Sequence, residues 1–145
     1  MQGAEFFELS QRLASGTTAA EMRTATSRAY YAAFHKASEL MRSIGILLPL
    51  GPECHTKVLH LLSHSEDADV VTAGSRLTAL RSARNAADYE LNNPDAEQKK
   101  PVYRHLRRAK EIMDSIDACF AGGTKASVHE PIRKYARDVL RLPVL

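Results

Sequence analysis

Apolar residues return along this chain at three- and four-residue intervals, and small or turn-forming residues interrupt them at a few places only. Phe6, Phe7, Leu9 and Leu13 precede Ser15-Gly16, which predicts a first helix over residues 3–15. Thr18 and Glu21 have the spacing of a capping box and start a second helix there. Nothing breaks that helix before about Ile44, where Gly45, Pro49, Gly51 and Pro52 open a loop. Ala25, Ala29, Ala33 and Ala37 form a smooth stripe on it, flanked by Tyr30, Phe34 and Met41, which reads as core or as a dimer seam. A third helix is expected over Glu53–Ser63, with Val58, Leu59, Leu61 and Leu62 inside and an acidic turn, Ser65-Glu66-Asp67, after it. The fourth runs from Thr72 to about Leu91, buries Leu77, Leu80 and Ala87, and stops at Asn92-Asn93-Pro94. A fifth reaches about Phe120 with Val102, Leu106, Ala109, Ile112, Met113 and Ile116 inward; Pro101 blurs its start and Gly122-Gly123 ends it. Residues 125–145 alternate Ile132, Tyr135, Ala136, Val139 and Leu140 with basic positions and suggest a final short helix.

The 145 residues fit one all-α domain, with residues 1–121 as a helical bundle and 122–145 as its C-terminal helical extension. Six percent aromatic content and the absence of tryptophan leave helix–helix packing to aliphatic and alanine side chains. A formal charge of +3 is compatible with a phosphate-bearing partner and equally with simple solubility. Cys54 and Cys119 lack CxxC spacing, so neither a disulfide framework nor a zinc knuckle is indicated. No stretch approaches a membrane span and no signal pattern opens the chain, which leads us to expect a cytoplasmic protein.

The densest chemistry lies in Leu80-Arg81-Ser82-Ala83-Arg84-Asn85-Ala86-Ala87-Asp88-Tyr89. On a helix, Arg84 and Asp88 share a face, either as an ordinary surface ion pair or as part of a polar site. On the second helix Arg28, Tyr31 and His35 also share a face. An arginine to hold phosphate and a histidine to move protons would suit phosphodiester cleavage, while the plainer reading is a polar stripe on a half-buried helix. His60 and His64 have metal-capable spacing, with His55 just before them, but no further ligands stand in register, so no metal or other cofactor is called for. Lys99, Lys100, Arg104, His105, Arg107, Arg108 and Lys110, extended by Arg133, Lys134, Arg137 and Arg141, would track a nucleic-acid backbone or form a solvated face. Tyr103 is the one aromatic among the first group, too few for a stacking platform. Glycine-rich phosphate loops, GxSxG elbows and HExxH sequences are absent.

The stretch Ser27-Arg28-Ala29-Tyr30-Tyr31-Ala32-Ala33-Phe34-His35-Lys36-Ala37, followed about fifty residues later by Leu80 to Tyr89, resembles the HEPN domain family in both pieces and in their order. His55 ahead of Val58 resembles a histidine-bearing helix that often lies between them. The resemblance spans roughly residues 5–120. It implies a bundle of about five helices and a homodimer in which two copies of the arginine-bearing helix face one another. Many members are RNA-cleaving toxins or defence proteins, and some act with a small nucleotidyltransferase partner in a toxin–antitoxin-like module. The family's active motif is an arginine followed, after four to six residues, by a histidine. Arg84 and Asn85 match its beginning here, but Tyr89 stands where the histidine is expected. A tyrosine with an ordinary pKa near 10 is a poor base at neutral pH. The resemblance therefore implies nucleotide, RNA or partner binding through Arg81, Arg84, Asn85, Asp88 and Tyr89, with a degenerate nuclease motif. Two alternatives stand beside it: a metal-independent ribonuclease using Arg84 or Arg28 with His35, and a structural or dimerising protein with no ligand at the motif.

Overall fold

A computed structural model describes all 145 residues as an all-helical chain. Its α-helices are α1 (Gly3–Ala14), α2 (Ala19–Ser43), α3 (Glu53–Ser63), α4 (Ala68–Tyr89), α5 (Lys99–Asp117) and α6 (His129–Asp138), with short 3-10 turns at Pro94–Glu97 and Ala126–Val128. No helix is long and apolar enough to cross a membrane.

The longest helix, α2, forms the centre of the bundle. Its start is the expected capping box: Thr18 Oγ1 accepts from the Glu21 N–H at 3.1 Å, and Glu21 accepts from the Thr18 N–H at 3.1 Å. The helix packs against α1, α5, α4 and α3, and Ala25, Ala29, Ala33 and Ala37 are all fully buried. The alanine stripe is thus part of this chain's own core, where the lack of bulk lets neighbouring helices approach closely. Gly3, at the start of α1, makes a similar approach: a Cβ there would come 2.8 Å from the His35 Cβ.

Two boundaries differ from the sequence pattern. α4 begins at Ala68 rather than Thr72, because Asp67 Oδ1 accepts from the N–H groups of Asp69 and Val70 at 3.0 and 3.2 Å. The acidic turn is the helix cap. α5 ends at Asp117, short of Phe120, and Leu59 is only partly buried. Pro101 sits in the first turn of α5, where its missing N–H would have no intrahelical partner anyway.

The C-terminal segment closes over the end of α2. Ile132 and Ala136 of α6 belong to the same core as the other helices. Beyond α6, Ile46 and Val144 form an isolated antiparallel bridge, in which Leu47 N–H donates to Pro143 and Leu145 N–H donates to Gly45. Gly45, with φ +87°, turns the chain at the point where the Arg133 guanidinium reaches the Ile44 carbonyl at 2.6 Å.

Candidate anion site between α2 and α4

The two helices that carry the conspicuous sequence segments pack against each other. Tyr30 and Tyr31 of α2 meet Arg84 of α4 and Ser27 meets Asp88, while Arg28 and His35 lie against Phe6 of α1 and His55 of α3 meets Tyr30 and Phe34. The Arg84 guanidinium lies 5.3 Å from the Tyr30 ring centroid and 5.4 Å from that of Tyr31. Arg28 lies 4.9 Å from the same Tyr31 ring and 5.0 Å from Phe6. Tyr31 is therefore shared by two cations, each favoured by the ring quadrupole by about 0.5–2 kcal/mol depending on solvent exclusion.

Hydrogen bonding separates the two most buried arginines sharply. Arg23 and Arg84 are both 9 % exposed. Arg23 donates to the carbonyls of Ala86, Ala87, Glu90, Leu91 and Asn93 and to Glu97 Oε2, at 2.9–3.4 Å, so it ties down the end of α4 and the loop after it. Arg84 has none of this. Its contact with Asp88 is 3.8 Å, beyond hydrogen-bond length, and its Nε is buried without a partner. The Nε atoms of Arg28 and Arg81 are likewise buried and unpartnered. Asp88 Oδ2 accepts from Ser27 Oγ at 3.2 Å, and Ser27 Oγ accepts from Arg28 at 3.3 Å. Asp88 thus stands beside the Arg84 guanidinium and is linked through Ser27 to that of Arg28, and most donors of the three arginines are free.

The aromatic side of the site holds two neutral imidazoles. His55 stacks on Phe34 at 4.2 Å, and its Nδ1 is 2.6 Å from the Tyr30 hydroxyl. Burial, then the charges of Arg81, Arg84 and His35, pull the His55 pKa below its ordinary value. His35 stacks on Phe6 at 5.6 Å, and burial, then Arg42 and Arg28, lower its pKa against the opposing pull of Glu39. Tyr30 is pushed up to about 12, chiefly by burial, and keeps its proton at any physiological pH.

The structure gathers Arg28, Arg81, Arg84 and Asp88 around the Tyr30–Tyr31 pair and leaves Asn85 and Tyr89 outside, both exposed and Tyr89 by 75 %. His35 and Arg28 both lie against the Phe6 ring. His60 is exposed and His64 stacks on Tyr135 at 3.8 Å; no group of three or more His, Cys, Asp and Glu side chains is arranged to hold a metal ion. The basic run on α5 is partly committed: Lys99 donates to the Ala14 carbonyl, Lys110 pairs with Asp114, and His105 is half-buried. The largest surface cavity, about 650 Å³ beside Gly45, Phe120 and His129, contains one arginine, Arg133, already tied to Ile44 and Glu130. Sequence reasoning passes over Arg23 and Phe6 as members of this region and reaches His55 only beside the His60–His64 pair and through the resemblance. Their partners are distant in sequence, and no local pattern announces them. Compared with protein-family models, curated proteins and solved structures, the chain matches none.

Proposed function

We propose that this chain is a HEPN-like binding protein that holds a nucleotide phosphate, free or within RNA, between α2 and α4 without cleaving it. The observation that carries this reading is Arg84, buried with a 3.8 Å ion pair to Asp88 and no hydrogen bond within the chain, beside Arg81 and Arg28; the Nε atoms of all three are buried and unpartnered. A buried cation without hydrogen-bond acceptors costs stability, and a phosphate oxygen would relieve that cost with charge-assisted bonds. The half-exposed Tyr31 and His35 rings beside the arginines suit a base stacked next to its phosphate. Tyr89, at the position where the resemblance places a catalytic histidine, is exposed and lies outside the group around Tyr30 and Tyr31. Exposed Tyr89 and Leu91 at the end of α4 offer apolar surface to a second copy of the chain or to a nucleotidyltransferase-type partner.

Fluorescence anisotropy with labelled hexauridylate and competition by AMP test the reading. Arg84→Ala is expected to weaken binding about tenfold to a hundredfold, the worth of one to two charge-assisted hydrogen bonds. Unchanged affinity removes the proposal. One observation favours cleavage as a second reading: Arg28 and His35 lie against the same Phe6 ring. RNA cleavage that survives EDTA and disappears in His35→Ala would replace binding by that reading.

A further inference from the structure

The hydroxyl of Tyr30 fixes the proton position on His55. Tyr30 is completely buried, and His55 Nδ1, 2.6 Å away, is its hydroxyl's sole hydrogen-bond partner. If Nδ1 carried the proton, the tyrosine O–H would be left in the core with no acceptor, at a cost of about 1–3 kcal/mol. The tyrosine therefore donates and Nδ1 accepts. In a neutral imidazole with an accepting Nδ1, the proton resides on Nε2. That Nε2–H makes no hydrogen bond within the protein, and the residue is only partly buried.

Resting on the phosphate site described above, we infer that His55 is a ligand-binding residue, presenting a neutral Nε2–H donor to a phosphate oxygen held by Arg81 and Arg84. Tyr30 is its positioning residue. The ring has little freedom to turn away, since Phe34 stacks on one side at 4.2 Å and Tyr31 meets it edge-on at 6.1 Å. Charged and titratable groups facing it are Tyr30, Tyr31 and His35 from α2 and Arg81 and Arg84 from α4. Burial, and then the arginines, oppose a second proton on the ring, so the donor works without adding a cation to a site that already holds three. A neutral donor contributes reach and direction where further positive charge would be repelled.

Two measurements test this on the full chain. Long-range ¹H–¹⁵N correlation at neutral pH is expected to show His55 with a protonated Nε2 and an unprotonated Nδ1, and Tyr30→Phe is expected to mix the two tautomers. Hexauridylate, whose phosphodiesters do not titrate near neutrality, serves as the binding probe. His55→Gln, which keeps an N–H near the Nε2 position, is expected to stay within about threefold of wild type, whereas His55→Asn loses about tenfold, one hydrogen bond to a charged group. Wild-type affinity is expected to hold from about pH 7 to about pH 8.5, because the neutral form is the donor. An Nδ1-protonated ring overturns the assignment whatever the variants do. Binding that depends on Arg84 but is equal in the Gln and Asn variants overturns the role of His55 alone; absence of any binding by wild type overturns the site and the inference together.

Discussion

Replacing each of the two buried arginines by methionine is expected to give unequal losses of stability. Methionine retains much of the volume and removes the charge. For Arg23→Met, the carbonyls of Glu90, Leu91 and Asn93 lie toward the surface and recover water, but the bond to the Ala87 carbonyl is fully buried and Glu97 loses its ion-pair partner. An orphaned buried carbonyl costs about 1–3 kcal/mol, and the weakened loop adds a smaller share, so a loss of about 3 kcal/mol is expected. For a chain of this size that is roughly a 10 °C fall in Tm. In Arg84→Met, two cation–π contacts of about 0.5–2 kcal/mol each and the 3.8 Å ion pair with Asp88 are lost, offset by removing a buried charge whose Nε has no hydrogen-bond partner, so the net loss is expected to stay below about 2 kcal/mol, less than for Arg23→Met. Urea unfolding followed by far-UV circular dichroism, with calorimetric Tm as a second probe, measures both. Equal destabilisation by the two substitutions would refute the reasoning, because Arg84 would then be as structural as Arg23.

Two further outcomes can be checked on the same instruments. Acidification should destabilise the fold in two stages: His35, His55 and His105 have folded pKa values below the ordinary 6.5, so the unfolded chain binds more protons and stability falls as pH drops from about 6.5 toward those folded values. Asp67, held below its ordinary 3.8 by its bond from Lys125, adds a second loss as pH falls below that value, and a Tm profile flat between about pH 8 and about pH 5 contradicts the first stage. Gly3→Ala should lower stability by about 1–3 kcal/mol because its Cβ meets the His35 Cβ at 2.8 Å; an unchanged urea midpoint would show that α1 is free to shift.

Legibility in the sequence depends on the range of the interactions. The capping box at Thr18, the alanine stripe of α2 and the inward residues of α5 are local periodicities, and the structure contains them where the pattern places them. The start of α4 is misplaced by a turn when Asp67 is assigned to the loop, although its carboxylate is the cap. The 3-10 turn at Pro94–Glu97 is hidden by the proline stop signal, which marks a helix end without specifying the conformation of the next residues. At the candidate site, the proximity of Arg84 to Asp88 is legible as a four-residue spacing. The roles of Arg23 and His55 are not, since Arg23 finds its acceptors 63–74 residues away and His55 meets Tyr30 across 25. Charge alone ranks all the arginines equally; only burial together with the hydrogen-bond partners divides them.

The last turn of α4 would ordinarily fray, because its final carbonyls have no partners within the helix. Arg23 supplies partners for Ala86, Ala87 and Glu90, and the Glu90 N–H still reaches Ala86 at 2.9 Å. Amides of this turn should therefore exchange with solvent deuterium at rates typical of a helix interior, not of a helix end. On the proposed reading, a ligand at Arg84 would meet backbone that is already ordered, and little conformational entropy would be lost on binding.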